Sequence, residues 1–187
     1  MMSHLKFKAT GYIGVMILFL LYCLTTINIV ASEKSDNNSV INQTYPKAQA
    51  EVLETFGAIA ESITLGAGQG YGGEYMDKLI SFHAYGDKFV EFNGGQSFDS
   101  AGNEENERQL FGEDISEVIQ FAPIEGTLKV AVYYGNVANL TFTSDFILMH
   151  KTYGEITVNN LITLLFVKTK GQWKMVHEHH SPVYVPI

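Results

Sequence analysis

The sequence predicts an α+β protein, with helices first and a curved antiparallel sheet after them. From Pro46 to about Leu65, Val52, Phe56, Ile59 and Ile63 recur at the helical interval, with Glu51, Glu54 and Glu61 on other faces. Beyond Thr127 the apolar residues recur at every second position, in long runs broken by short turns. Helices followed by strands is the α+β order. A length of 187 residues suits one domain.

The N-terminus stands apart. Lys6 and Lys8 precede an uncharged apolar run, Gly11 to Leu24, and Val30-Ala31-Ser32 supplies small residues for cleavage. Residues 1–32 therefore read as a secretory signal peptide. The alternative is an uncleaved N-terminal anchor, since the run stretches to about 20 residues. The expected location is secreted or periplasmic, or membrane-anchored through this segment alone. Residues 33–45 (Glu33 to Tyr45), rich in Asn and Ser, read as a flexible linker, and 46–187 as the folded domain.

Cys23 is the only cysteine, so a cleaved chain has neither a disulfide nor a thiol nucleophile. The net charge is −8, and Arg108 is the only arginine. Nucleic-acid binding needs clustered Lys and Arg to displace counterions, and this chain has no such cluster.

Pro46 opens the first helix. Gly66 to Gly73 ends it; no strand precedes this stretch and no Lys-Ser/Thr follows, so it reads as a flexible connection rather than a phosphate loop. Glu74 to Phe82 reads as a short second helix, His83 to Asp87 as a turn, and Lys88 to Asn93 as a short strand. Ser97 to Asn103 reads as loop and Glu104 to Phe111 as a third helix. Strands are expected over 127–134, 137–150, 155–168 and 172–182, joined by Gly135-Asn136, Tyr153-Gly154 and Lys170-Gly171. A helix across a bent meander of this kind leaves a concave, largely apolar pocket.

The last strand concentrates the chemistry. Three of the six histidines lie in Trp173-Lys174-Met175-Val176-His177-Glu178-His179-His180-Ser181-Pro182, beside the only tryptophan. This stretch resembles the C-terminal signature of SnoaL-like domains in the NTF2-like superfamily. It is also similar to the end of the calmodulin-dependent kinase II association domain, which has Arg in the place of His180. The resemblance covers about residues 46–184. It implies a cone-shaped α+β barrel with a cavity between first helix and sheet, often paired through the sheet as a homodimer. The superfamily includes isomerases, cyclases, dehydratases, binding domains and oligomerisation hubs, so the fold does not choose a function.

In a strand, His177 and His179 share one face, and Glu178 and His180 the other. His177 and His179 would need a third ligand to hold zinc; Asp145, His150, Glu155 and His83 are available, but nothing in the sequence places them nearby, so neither a metal nor another cofactor is expected. By resemblance, His180 lines the cavity and donates to an anionic or polar small molecule, with Glu178 holding it protonated. The other reading is that these side chains only bond across strands. Superfamily catalysis often pairs an Asp or Glu base with a donor in the pocket, which makes Asp145, in the apolar strand Phe142 to Met149, the candidate base. An exposed strand position is the alternative for Asp145. His177 and His179, Tyr85 at the expected pocket mouth, Trp173 and Arg108 are the candidate ligand contacts. Two function classes stay open: a cofactor-independent acid–base enzyme of the isomerase, cyclase or hydratase type on a small, partly apolar substrate, and a non-catalytic ligand-binding or dimerisation module.

Overall fold

A computed structural model describes residues 43–183; the expected signal segment and most of the expected linker lie outside them. Helix α1 (Pro46–Gly66) starts with proline and buries Val52, Phe56, Ile59 and Ile63 along one stripe, as its period requires. Helix α2 (Glu74–Ser81) buries Met76 and Leu79. Strands β1 (Val90–Asn93) and β2 (Gln96–Phe98) form a hairpin. Helix α3 (Ser100–Glu107) begins four residues before the expected Glu104, because the Asp99 carboxylate caps it by accepting from Gly102 N at 2.9 Å. It runs on into a π-helical turn, Arg108–Asp114.

The strands β3 (Ile115–Pro123), β4 (Lys129–Tyr133), β5 (Val137–His150), β6 (Gly154–Val158), β7 (Asn160–Thr169) and β8 (Gln172–Pro182) follow. The eight strands form one sheet, ordered β2-β1-β8-β7-β5-β3, with β4 and β6 also paired to β5. The first half of β5 pairs with β4 and β7, the second half with β3 and β6. The expected strand over 155–168 is thus two strands. Asn159 separates them and donates from its amide to Ser144 O. The sheet is antiparallel except where β1 lies parallel to β8, pairing Glu91 with Glu178 and Asn93 with His180. At the β7–β8 turn, Lys170 (φ 51°) and Gly171 (φ 81°) adopt the left-handed pair that a two-residue hairpin favours.

The register of β8 shifts once. Leu165 faces His177 while Phe166 faces Met175, so Val176 is an extra residue. This bulge brings Trp173 and Met175 to the same buried face as Glu178.

Phe56 of α1 lies against Phe142 (5.1 Å between centroids) and Phe121 (6.4 Å), and Phe121 stacks on Phe146 at 4.1 Å. These rings fill space between helix and sheet where the open apolar pocket was expected. The glycine stretch is no loose connection either. Gly68 N donates to Phe111 O (2.9 Å), Gly70 N to Gly112 O (3.0 Å) and Tyr71 N to Glu113 Oε1 (2.8 Å). A Cβ on Gly112 would stand 2.9 Å from Gly70 O, so only glycine permits this approach. The stretch is an ordered strap across the π turn.

Candidate active site

Where β1 runs beside β8, the sheet buries charge. Glu91 is fully buried, and Glu178 and Glu107 are 5% and 7% exposed. Alternation positions Glu91 on the same side of its strand as buried Phe89. The bulge in β8 does the same for Glu178. Glu107 lies one helical turn after buried Asn103, so both face inward from α3.

His83, at the end of α2, is the anchor. Its Nε2 is 2.7 Å from Glu178 Oε1, and its Nδ1 is 3.1 Å from Leu79 O and 3.3 Å from Ile80 O. A carbonyl only accepts, so Nδ1 carries a proton; facing a carboxylate, Nε2 carries the other. Burial opposes the charged ring, but the Glu178 carboxylate outweighs it and the His83 pKa is raised. Burial likewise opposes the Glu178 charge; His83, followed by His180, overcomes it and holds the carboxyl well below its usual range. His83 and Glu178 are therefore a buried ion pair.

The second oxygen of Glu178 faces His180 Nε2 at 3.4 Å. His180 is also raised: burial works against its charge, and the Glu178 hydrogen bond and charge prevail. With Nε2 turned to Glu178, Nδ1 is the ring's other proton-exchange position, and the side chain keeps 19% exposure. This is a carboxylate-oriented imidazole, the arrangement that fixes a tautomer and supports proton transfer.

Glu107 completes the cluster from the other side. Burial first, and then the Glu178 charge, push its carboxyl up to about 8, so it is protonated at neutral pH. Its Oε2 is buried with no hydrogen-bond partner. Such an atom costs about 1–3 kcal/mol unless a ligand satisfies it.

A second chain of bonds fixes the surroundings. Tyr85 OH donates to Asn103 Oδ1 (2.5 Å), Asn103 Nδ2 to Glu91 Oε2 (2.8 Å) and Asn93 Nδ2 to Glu91 Oε1 (2.9 Å). Burial, and then the nearby Glu107 charge, raise the Tyr85 phenol. Tyr85 also stacks on His83 at 4.9 Å.

The structure thus brings together Glu178, His180 and Tyr85 of the residues the sequence singled out. The others lie elsewhere. Asp145 alternates with the buried face of β5 and accepts from Gln120 Nε2 at 2.5 Å. His177 and His179 lie on the other face of β8, edge-on to exposed Phe92, and His177 Nδ1 donates to Val90 O. Trp173 is buried in the core, its Nε1 donating to Glu51. Arg108 turns to Asp77, Glu104 and the Tyr71 carbonyl.

Glu91, Asn103 and Glu107 were not anticipated, and His83 was weighed only as a third zinc ligand. Glu91 was legible as the polar member of the Phe89 face, and Asn103 with Glu107 as an i, i+4 pair. His83 sat in a segment that read as a turn, with nothing to bring it to Glu178. Two shallow grooves, of about 260 and 340 Å³, open on either side of Glu51 and include none of these buried groups. Among the described residues, no three His, Cys, Asp or Glu side chains converge as a metal ion would need.

Residues 75–186 match the profile of the SnoaL-like domain. No curated protein matches the sequence. Among solved structures, an NTF2-like superfamily protein from Salmonella enterica serovar Typhimurium LT2 is similar at TM-score 0.61 and 16% identity, over 76% of this chain and 96% of that one. A candidate dehydratase of the NTF2-like family from Streptomyces avermitilis is similar at TM-score 0.61 and 17% identity, over 76% and 100%. A candidate calmodulin-dependent kinase II association domain from Exiguobacterium sibiricum is similar at 0.57 and 10%, over 77% and 99%. At these identities the likeness is one of fold.

Proposed function

The chain belongs to the SnoaL-like domain family, and from that premise we propose that it is an extracytoplasmic, cofactor-independent enzyme performing acid–base chemistry on a small, partly apolar substrate. The observation that carries this is Glu107: a buried, protonated carboxyl with an unpartnered oxygen, set beside the Glu178–His180 dyad. One side supplies a proton donor and the other an oriented imidazole, as dehydration or isomerisation requires. In a dehydration, His180 takes the proton next to a substrate carbonyl. The C–H electron pair becomes the new C=C bond as the C–OH bond breaks, and Glu107 protonates the departing hydroxyl to water. His180 then returns its proton through solvent and Glu107 is reset. The Glu91 and Glu178 carboxylates beside the site favour a neutral substrate over an anion. The candidate dehydratase from Streptomyces avermitilis is consistent with this class.

The test is a panel of small β-hydroxy ketones, followed by enone absorbance and by deuterium exchange next to the carbonyl. Wild type is expected to turn over at least one compound with a two-sided pH profile: His180, whose proton Glu178 helps retain, must be neutral, and Glu107 must be protonated, so the rate falls as pH rises through about 8. Glu107→Gln is expected to lose dehydration while His180→Gln loses exchange. Full activity in both variants, or neither reaction across the panel, sinks the proposal.

The alternative is a non-catalytic homodimerisation module, and a different surface favours it. Phe92 (46% exposed) and Leu161 (53% exposed) stand with His177 and His179 on the outer sheet face. This reading expects a dimer by sedimentation that Leu161→Asp converts to monomer. A wild-type monomer rejects it.

A further inference from the structure

The carboxyl side of the candidate site is sealed, although His180 keeps 19% exposure: Glu91 and Asn103 have no exposure and Glu178 and Glu107 almost none. A substrate needs an entry, and one covering element is built to yield. Helix α3 (Ser-Ala-Gly-Asn-Glu-Glu-Asn-Glu) buries only Asn103 and Glu107. It has no apolar face, so lifting it exposes little hydrophobic surface, and helix stability in proteins comes mostly from such a face. Polar bonds hold it instead, and segments held this way open at lower free energy than the core. Both ends are fixed. Ser100 Oγ donates to Gly86 O at the start, and buried Phe111 anchors the π turn at the finish. The π turn itself is a rare geometry that recurs at functional sites.

One side chain closes this cover. Arg108 Nη1 reaches Asp77 Oδ1 on α2 at 2.9 Å and the Tyr71 carbonyl of the strap at 3.0 Å, and its Nε reaches Glu104 Oε1 on α3 at 3.0 Å. The guanidinium lies 5.7 Å from the Tyr71 ring, and Tyr71 OH donates to Glu105 of α3. A rigid, planar fork with five donors joins three elements in a fixed geometry, which the freely rotating lysine ammonium matches less well.

We propose that residues 100–110 form a lid that carries Glu107 into the site and admits substrate when it lifts, and that Arg108 is its latch. The inference rests on the acid–base reading of the site, although its test needs no substrate. Arg108 is a positioning residue: it touches no reacting atom and acts by keeping Glu107 seated. Closure then assembles donor and dyad, so that chemistry waits on a bound substrate.

The experiment compares wild type with Arg108→Gln and Arg108→Lys, by amide hydrogen exchange and by the carboxyl ¹³C titration of Glu107. In Arg108→Gln, protection over 100–110 is expected to drop by about tenfold or more while β7 and β8 keep theirs, as local opening requires. Glu107, now wetted, is expected to titrate lower than about 8, toward the ordinary carboxylate range. Arg108→Lys is expected to fall between. Should Arg108→Gln fail to fold, Asp77→Asn removes one arm of the latch and gives the same readouts. Unchanged Glu107 titration, or protection lost evenly across the domain, overturns the lid. Full turnover by Glu107→Gln would instead defeat the acid–base reading and leave the exchange result standing.

Discussion

Glu107→Gln is expected to stabilise the protein at alkaline pH, by up to about 5 kcal/mol above pH 8. The sign follows from the raised carboxyl. Glu107 titrates at about 8 in the folded chain against an ordinary 4.5. Below 4.5 both folded and unfolded states hold the proton, and there is no penalty. Between 4.5 and 8 only the unfolded chain ionises, so each pH unit costs about 1.4 kcal/mol of stability. Above 8 the folded state carries a buried carboxylate beside Glu178 and the loss is complete. Glutamine has nearly the same shape and does not ionise, so its variant escapes this slope. Urea unfolding at pH 5, 7 and 9 should show the two proteins converging in acid and diverging in alkali. Parallel curves would mean that Glu107 is neither buried nor protonated as described. A group that weakens the fold at working pH is more readily explained by a task than by packing.

Most of the fold was legible because period and punctuation are local. The stripe Val52, Phe56, Ile59, Ile63 and the turn Lys170-Gly171 each announce their element without tertiary help. The missed parts depend on distant partners. Strand β3 lacks a sustained alternation and is shaped by pairing with β5, with two register irregularities. The parallel pairing of β1 with β8 joins segments far apart in sequence, and it is what brings Glu91 beside Glu178. Parity along β8 correctly separated His177 and His179 from Glu178 and His180. It also implied that Trp173 shares the His177 face, which the extra residue Val176 reverses. A bulge has no strong signature in Met-Val-His. The site was half legible for the same reason. Glu178 and His180 lie two apart on one strand, whereas His83 and Glu107 reach them only through the packing of α2 and α3.

The second large effect belongs to the buried pair. Glu178→Ala is expected to cost about 3–5 kcal/mol, because it leaves His83 charged, buried and unmatched, and His83→Ala is expected to cost toward the lower end of that range, because Glu178 keeps only the longer His180 contact. The pH dependence has two limbs. Glu178 titrates below its usual range in the folded protein, so its contribution is present above the ordinary glutamate pKa and is lost as pH falls through the folded value. His83 is raised, so its contribution is full below the ordinary histidine pKa and fades as pH climbs through the folded one. The pair therefore supports the fold best between these limits, and either alanine variant should lose that plateau in chemical denaturation. The double variant His83→Leu/Glu178→Leu separates two explanations. Apolar side chains of similar size often replace a buried ion pair at no loss. If the double variant regains wild-type stability but His180 no longer titrates above its ordinary range, the pair exists to hold the His180 dyad rather than the fold. If stability stays lost, the pair is structural, and His180 is merely its neighbour.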